Sequence, residues 1–212
     1  MAPQGLGARV LEARVRSGSE RFFRWYRTLP LLAMGVVLAL ALGVGALPNN
    51  VVRRVFYPVS YATQINGSAA RHDVDPCLVA AVIKCESDWD PSAQSGAGAV
   101  GLMQLMPETA QELADLGVVD AAEYDVSRLT DPSVNIEYGT AYLAYLSQEL
   151  DSTDEVIAAY NAGLGTVRSW LADGTQGVAE AITYPETRLY LQRVKQARDR
   201  YAELYPEGLE DF

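Results

Sequence analysis

The sequence predicts a mainly α-helical globular domain that is preceded by a single transmembrane helix. Two patterns favour the helical domain: apolar residues recur at helical spacing in several segments, and prolines stand where such segments begin. An uncharged apolar run ahead of the domain predicts the membrane helix. The sequence shows neither the alternating pattern of β-strands nor an internal repeat, so we expect one helical domain beyond the membrane segment.

The apolar run comprises residues 29–47, which contain no charged side chain. A helix of this length measures about 28 Å, enough to cross the hydrocarbon core of a bilayer. Six arginines and two glutamates come before this run, and positive charge marks the cytoplasmic side of a membrane helix. We therefore expect an uncleaved anchor with a cytoplasmic N-terminus. The alternative is a cleaved signal peptide with a small-residue site at 44–46, and both interpretations export the domain.

This topology divides the rest of the chain into three parts. Residues 1–28 are expected to form a basic cytoplasmic tail, 48–62 a stem, and 63–212 a domain in the extracellular or periplasmic space. The net charge of the whole chain is −10, whereas residues 1–50 carry +4, so the remainder carries −14. A domain this acidic has no basic surface for nucleic acid, which is therefore not expected as a partner.

Five segments of the outer domain combine helical spacing with a start or stop signal. They run from Pro76 to the Asp90-Pro91 pair, from Pro107 to Gly117, from Asp131-Pro132 through Leu146, from Thr153 to Ala162, and from Thr187 to Leu204. In the first segment, Asp75 is placed to cap the helix and Pro76 to occupy its first position. Cys77 and Cys85 would lie about 12 Å apart on this helix, too far for a disulfide.

The glycine-rich stretch Gly96–Gly101 has the spacing of a dinucleotide-binding fingerprint. That fingerprint requires a strand before it and a helix that starts within it. Here a predicted helix and the Asp90-Pro91 pair come before it, so we reject a nucleotide site. The glycines more plausibly let the backbone approach a ligand closely or turn the chain tightly.

Four segments of the chain carry a family pattern when they are taken in order. They are Glu86–Ser95 continued by Gly98–Pro107 and Thr109-Ala110; Asn135 with Gly139, Tyr142 and Leu143; Ala158–Gly163; and Glu186–Arg188 with Tyr190 and Val194. These segments resemble the motifs of the soluble lytic transglycosylase catalytic domain, and the resemblance spans about residues 63–205. It implies that residues 63–212 form this catalytic domain with a lysozyme-like α-helical fold.

The resemblance also implies a reaction and a partner. The expected substrate is the peptidoglycan glycan strand, cut at the β-1,4 bond between N-acetylmuramic acid and N-acetylglucosamine to leave a 1,6-anhydromuramoyl end. Members of the family need one protein carboxyl group, because the muramoyl C6 hydroxyl attacks C1 and the substrate's N-acetyl group is thought to stabilise the intermediate. The membrane, reached through residues 29–47, is the other expected partner.

Glu86 is the expected catalytic acid and base. A carboxylic acid can protonate a leaving oxygen near neutral pH only if its pKa is raised. Glu86 follows an apolar helical run and stands near a helix C-terminus, and both desolvation and the helix dipole disfavour its carboxylate form. The alternative is an ordinary surface glutamate, like most of the 27 acidic residues. Asp88 and Asp90 are expected to be solvated charges.

The resemblance implies ten substrate-binding residues, namely Ser95, Met103, Gln104, Met106, Thr109, Tyr160, Asn161, Glu186, Arg188 and Tyr190. Gln104 would offer amide hydrogen bonds in the sugar groove and Met103 an adaptable apolar wall. Tyr160 would aim its phenol at an acetamido group, although core packing is an alternative for it. Glu186 and Arg188 would pair with each other or hold peptide or sugar groups, and a purely structural ion pair is the alternative.

The sequence predicts no metal and no cofactor. His72 is the sole histidine and is expected at the surface, so a multi-histidine metal site cannot be assembled. Two rival functions stay open: a goose-type lysozyme that hydrolyses the same bond, and a non-catalytic, membrane-tethered glycan-binding scaffold.

Overall fold

The computed structural model describes residues 28–39, 48–172 and 177–211, in which helices are joined by turns and by one long irregular stretch at 87–106. The helices are α1 (28–39), α2 (Asn49–Phe56), α3 (Ala62–His72), α4 (Pro76–Glu86), α5 (Pro107–Asp115), α6 (Pro132–Glu149), α7 (Thr153–Ala162), α8 (Leu164–Leu171), α9 (Val178–Ala181) and α10 (Pro185–Leu204). A single 3-10 turn, Val126–Arg128, lies between α5 and α6. Over the described ranges the only β-structure is two isolated bridges, so the prediction of a mainly α fold is confirmed.

Local capping fixes the starts of the helices much as the sequence predicts. The side chain of Asp75 accepts a hydrogen bond from the Cys77 N–H at the start of α4, and Asp131 caps α6 in the same way. Ser152 caps the start of α7, which ends at Ala162 as expected and is followed by Gly163 as its C-cap. The last helix begins at Pro185, two residues before the predicted start, because a proline is accommodated at the first helical position.

The predicted membrane segment is described only in part. Residues 28–39 form α1, and all of them are exposed. Residues 40–47, which complete the predicted span, and residues 1–27, which make up almost all of the predicted tail, lie outside the described residues. Among the helices that are described, none combines the length and the apolar character needed to cross a bilayer.

The chain divides into two compact units, Met1–Val52 and Arg53–Phe212. The second unit begins ten residues before the boundary that the sequence analysis places at residue 63. Val59 is completely buried in it, and the Tyr57 ring packs edge-on against Tyr201 with ring centroids 5.4 Å apart. The last part of the predicted stem thus packs with the helical domain.

Helix α4 forms the centre of this domain. Every residue from Leu78 to Ile83 is buried, because α10 packs on one side of the helix and α3 on another. Helix α6 packs against α3, α5 and α7 and buries most of its own residues. This packing holds the C-terminal end of α4, and therefore Glu86, in a fixed place among the surrounding helices.

A buried ion cluster joins α3 to α6. The carboxylate of Glu137, whose side chain is 4% exposed, accepts a 2.5 Å hydrogen bond from Arg71 and lies 2.8 Å from His72 Nε2. The prediction that His72 is a surface residue is therefore wrong: only 13% of its side chain is exposed, because it pairs with a glutamate 65 residues away. Burial by itself would raise the pKa of Glu137, but the bonds from His72 and Arg71 outweigh it and lower that pKa to about 2.

We expect Glu137→Gln to lower the free energy of unfolding at pH 7 by roughly 2 kcal/mol, less than for a fully buried pair because half of Arg71 is exposed. A lowered folded-state pKa stabilises the protein above the unfolded-state pKa, and that contribution disappears as pH falls through about 2. The difference in free energy of unfolding between the variant and the parent should therefore shrink as the pH falls from about 5 to about 2. Urea denaturation followed by circular dichroism at several pH values measures this difference. Glu207→Gln, at an exposed position, is the control, and a difference that stays constant over this range would contradict the assignment.

Candidate active site

Glu86 is the last residue of α4, and the next residue, Ser87, forms hydrogen bonds both to the helix and to the loop that follows it. The Ser87 N–H donates to Ile83 O and so closes the final turn of the helix. The Ser87 hydroxyl donates to Leu102 O at 2.8 Å. The Glu86 side chain, only partly exposed, is thereby set at the junction between the helix end and the loop that contains Leu102.

The carboxyl group of Glu86 has a raised pKa. Burial is the largest cause, because it disfavours the charged form. Tyr190 and Arg193 act in the opposite direction, since a phenol hydroxyl and a positive charge both favour the carboxylate. Arg193 is held close by a 3.1 Å hydrogen bond from its Nη2 to Cys85 O. The structure thus gives Glu86 the raised pKa that the sequence analysis expects, and Arg193 moderates it.

Two tyrosines adjoin Glu86. Burial, with a further contribution from the negative charge of Glu86, raises the pKa of both Tyr160 and Tyr190 well above the usual range. Both phenols are therefore neutral at physiological pH. The Tyr160 hydroxyl donates to Met103 O at 2.9 Å. The buried Tyr190 hydroxyl interacts with the Glu86 carboxyl group, yet it has no partner in full hydrogen-bonding geometry among the described residues.

The glycine loop, residues 92–106, forms the wall next to Glu86. It folds back on itself through antiparallel bridges from Val100 to Gln94 and to Leu105. The fully buried amide of Asn135 on α6 fastens it: Nδ2 donates to Val100 O and Leu129 O at 2.9 Å, and Oδ1 accepts from Met103 N at 2.8 Å. One side chain therefore satisfies three backbone groups and fixes the loop to the helical core.

Two glycines allow this close packing. Gly101 has a φ of +80°, and a side chain there would overlap the amide of Asn135. Gly139 on α6 lies so close to Met103 that a Cβ would collide with its sulfur and its Cβ. The glycines of the loop were expected to permit a close approach or a tight turn, and at Gly101 the approaching group is a protein amide.

The structure places Met103 and Gln104 differently from the sequence-based expectation. Met103 has 0% exposed surface, because its side chain fills the space next to Gly139, so it supports the site from behind and forms no open groove wall. The Gln104 amide nitrogen donates to Ala93 O and Gly101 O, both at 3.0 Å, and so stabilises the loop. Its amide oxygen makes no hydrogen bond within the described residues, so that atom is the part of Gln104 left for a ligand.

The remaining predicted residues divide into loop-forming, helix-linking and exposed positions. The Ser95 hydroxyl accepts from the Ala99 N–H within the loop. The exposed Asn161 accepts a hydrogen bond from Thr187, which links α7 to α10. Met106 and Thr109 lie partly exposed at the start of α5.

Of the alternatives given for Glu186 and Arg188, a pairing with each other does not occur. Arg188 donates from Nη2 to Ile182 O at 2.6 Å, and Glu186 is exposed at the start of α10. The Arg188 bond connects α10 to the segment just before it and uses one of the five N–H groups of the guanidinium. Glu186 is left with its carboxylate directed to solvent or to a ligand.

Three residues of the site were missing from the sequence-based set. Asn135 was noted only as part of a motif, although it organises the whole loop. Ser87 was likewise noted only as part of a motif and Arg193 was not noted, because their partners Leu102 and Cys85 lie 15 and 108 residues away. For Ser87, the position directly after the predicted acid was the available signal, since a hydroxyl there can bridge the helix end to the next loop.

The fold and the site together define a lysozyme-like helical domain. A model of the family described as the Transglycosylase SLT domain matches residues 63–181, and the chain belongs to this family.

Curated relatives are lytic transglycosylases. The soluble lytic murein transglycosylase of Escherichia coli (strain K12) is 33% identical over 144 residues, which cover 65% of this chain and 22% of that protein. The membrane-bound lytic murein transglycosylase C of Edwardsiella ictaluri is 31% identical over 191 residues, which cover 79% of this chain and 52% of that protein. The chain therefore spans between about a fifth and about half of the length of these relatives.

Solved structures of similar sequence share the fold. One is an inactive mutant of the lytic transglycosylase Slt from Pseudomonas aeruginosa, which carries a Glu-to-Gln substitution. Its sequence is 33% identical and the TM-score is 0.64; the match covers 72% of this chain and 25% of the Slt chain. The 70 kDa soluble lytic transglycosylase of Escherichia coli is 32% identical with a TM-score of 0.64 and covers 69% of this chain and 24% of that one.

We expect Gly101→Ala to destabilise the domain more than Gly98→Ala does. Both glycines have a positive φ, so both changes strain the backbone, but only the Cβ at position 101 meets the buried Asn135 amide. The additional loss of free energy of unfolding in Gly101→Ala should be about 1–3 kcal/mol, the usual cost of overpacking a buried site. Chemical denaturation of both variants measures the difference. Equal losses of free energy of unfolding in the two variants would contradict this expectation, because they would show that the Asn135 amide moves aside without cost.

The pKa of Glu86 should rise further in Arg193→Gln, since the charge that favours the carboxylate is removed. Tyr190→Phe should also raise the pKa of Glu86, because it removes the hydroxyl that favours the carboxylate. A carboxyl-carbon NMR titration of the parent and the variants measures both shifts. Arg200→Gln, whose guanidinium pairs with Glu203 further along α10, is the control and should leave the titration unchanged. A pKa that stays the same or falls in Arg193→Gln would refute the electrostatic account.

Proposed function

We propose that this protein is a peptidoglycan lytic transglycosylase in which Glu86 acts first as acid and then as base. The observation that carries the proposal is the environment of that carboxyl group: burial raises its pKa, and two neutral tyrosines adjoin it. Membership of the Transglycosylase SLT domain family supports the same reaction. The proposed substrate is the glycan strand of peptidoglycan.

In the first step, protonated Glu86 donates its proton to the oxygen that links C1 of N-acetylmuramic acid to N-acetylglucosamine. The C1–O bond breaks, N-acetylglucosamine leaves with a free hydroxyl, and Glu86 becomes a carboxylate. A raised pKa favours this step because it increases the protonated fraction of the acid at any given pH. The Tyr190 hydroxyl is free to donate to the new carboxylate and so to stabilise it.

In the second step, the C6 hydroxyl of the same muramoyl residue attacks C1, and Glu86 takes the proton of that hydroxyl. The product is a 1,6-anhydromuramoyl end, and Glu86 returns to its acid form. Asp88 and Asp90 face other partners, since Asp88 pairs with Lys84 and Asp90 accepts from Ser92, which supports a reaction with one protein carboxyl group.

Substrate-binding roles follow from the groups that the site leaves available. We propose that the Gln104 amide oxygen, the Asn161 amide nitrogen and the Glu186 carboxylate contact the sugar or its peptide. The remaining predicted residues would act mainly through the loop and the neighbouring helices. Tyr160 would position the loop through Met103 O and present its ring edge to the acetamido group.

We also propose that residues 29–47 anchor the protein in the cell membrane, with residues 63–212 as the catalytic domain outside it. The absence of charge from this run and the arginines before it support this topology. A relative named membrane-bound lytic murein transglycosylase C, which aligns over 79% of this chain, supports membrane attachment as well.

Hydrolysis of the same bond, as in a goose-type lysozyme, is the alternative reaction. It would use the same acid, Glu86, but would need a positioned water in place of the C6 hydroxyl. The products differ: transglycosylation gives anhydromuramoyl ends, whereas hydrolysis gives reducing muramoyl ends. Mass spectrometry of digested peptidoglycan distinguishes the two.

We expect Glu86→Gln to reduce strand cleavage by about a thousandfold or more, because the amide can neither donate nor take the proton. Asp88→Asn is the control and should keep most of the activity, since the Asp88 side chain is 79% exposed. Release of soluble fragments from purified peptidoglycan measures the rate. Cleavage that survives Glu86→Gln would sink the proposed mechanism, and reducing ends in the parent's products would favour the hydrolase.

A further inference from the structure

A cavity of about 260 Å³ opens between α4 and α10 beside the catalytic glutamate. Its lining residues are Tyr57, Lys84, Cys85, Arg193, Gln196 and Ala197. The roles proposed above for the glycan-binding residues leave this cavity unused. The cavity neighbours the site, because Cys85 precedes Glu86 in the chain and the charge of Arg193 acts on the Glu86 carboxyl group.

The cavity is cationic within an acidic domain. Residues 51–212 carry a net charge of −14, yet the two charged side chains that line this cavity, Lys84 and Arg193, are both positive. The Lys84 Nζ lies 5.6 Å from the centre of the Tyr57 ring, so its stem and that ring form one wall. Burial raises the pKa of the Cys85 thiol, which therefore adds no negative charge.

The existing partners of the two cations leave room for an anion. Arg193 uses one of its five N–H groups on Cys85 O and is otherwise exposed. Lys84 pairs with Asp88 at 2.9 Å, but the Asp88 side chain is 79% exposed, and such surface pairs contribute little. A ligand carboxylate can therefore bind Arg193 and compete for Lys84, with the Gln196 amide as a further donor.

We propose that this cavity binds a carboxylate of the peptide attached to the muramoyl residue that is being cut. The inference rests on the proposed function, which places such a peptide next to Glu86. Along α10, Arg193 lies about 4.5 Å and Ala197 about 10 Å beyond Tyr190. Two to four extended peptide residues, at about 3.3 Å each, span this distance.

Occupation of the cavity would also act on Glu86. The positive charge of Arg193 lowers the pKa of Glu86, and a bound carboxylate would offset that charge. The acid would then stay protonated more completely when a strand that carries peptides is bound. Strands with peptides should accordingly be cut faster than bare strands.

The test measures binding by Glu86→Gln protein, which cannot cut, to soluble glycan oligomers by isothermal titration calorimetry. Three ligands are compared: oligomers with peptides, oligomers stripped of peptides by an amidase, and oligomers whose peptide carboxylates have been converted to amides. We expect the first to bind about tenfold more tightly than the other two, as for one charge-assisted contact. Adding Arg193→Gln should abolish this difference in affinity between peptide-bearing and stripped oligomers.

Lys84→Gln in the same background is a second variant and should weaken binding of the peptide-bearing oligomers alone, by a smaller factor. Arg200→Gln, outside the cavity on the same helix, is the control and should change none of the three affinities. Equal losses on stripped and peptide-bearing oligomers, or no loss with Arg193→Gln, would overturn the inference and leave the proposed function standing. Failure of the Glu86→Gln protein to bind any of the three oligomers would overturn both.

Discussion

The geometry of the site depends on the buried amide of Asn135. Its three hydrogen bonds reach Val100, Leu129 and Met103, so one side chain connects the glycine loop to α6 at two points, Val100 and Met103. A buried amide that loses its partners costs free energy, and these bonds therefore favour one arrangement of the loop over its alternatives. Gly101 makes the arrangement possible, because any side chain at that position would occupy the place of the amide.

The loop in turn sets the positions of two helices relative to each other. Ser87 at the end of α4 donates to Leu102 O, and Tyr160 near the end of α7 donates to Met103 O. The acid on one helix and the phenol on the other are thus positioned from consecutive carbonyl groups of the same loop. This common support explains how side chains 74 positions apart in the sequence can form one site with a defined geometry.

The sequence was sufficient for features that arise locally. The caps at Asp75 and Asp131 and the apolar run before Glu86 follow from short-range rules, so the helix starts and the burial of the acid could be predicted. Features that depend on distant partners could not. Helical periodicity gives no sign that His72 meets Glu137, that Met103 fills the space beside Gly139, or that Arg193 reaches Cys85. Family resemblance named Met103 but could not show which way its side chain points.

The electrostatics of Glu86 combine opposing influences, and the proposed reaction needs both. Burial alone would keep the carboxyl group protonated and make it a good acid, but the same residue must then hold a negative charge and take a proton. The Arg193 charge and the Tyr190 hydroxyl support that second state without adding an ionisable competitor, since Tyr190 and Tyr160 both stay neutral. Arg193 also lines the cavity between α4 and α10, where a ligand can offset its charge. The balance between the acid and base forms of Glu86 is therefore open to adjustment by what binds next to it.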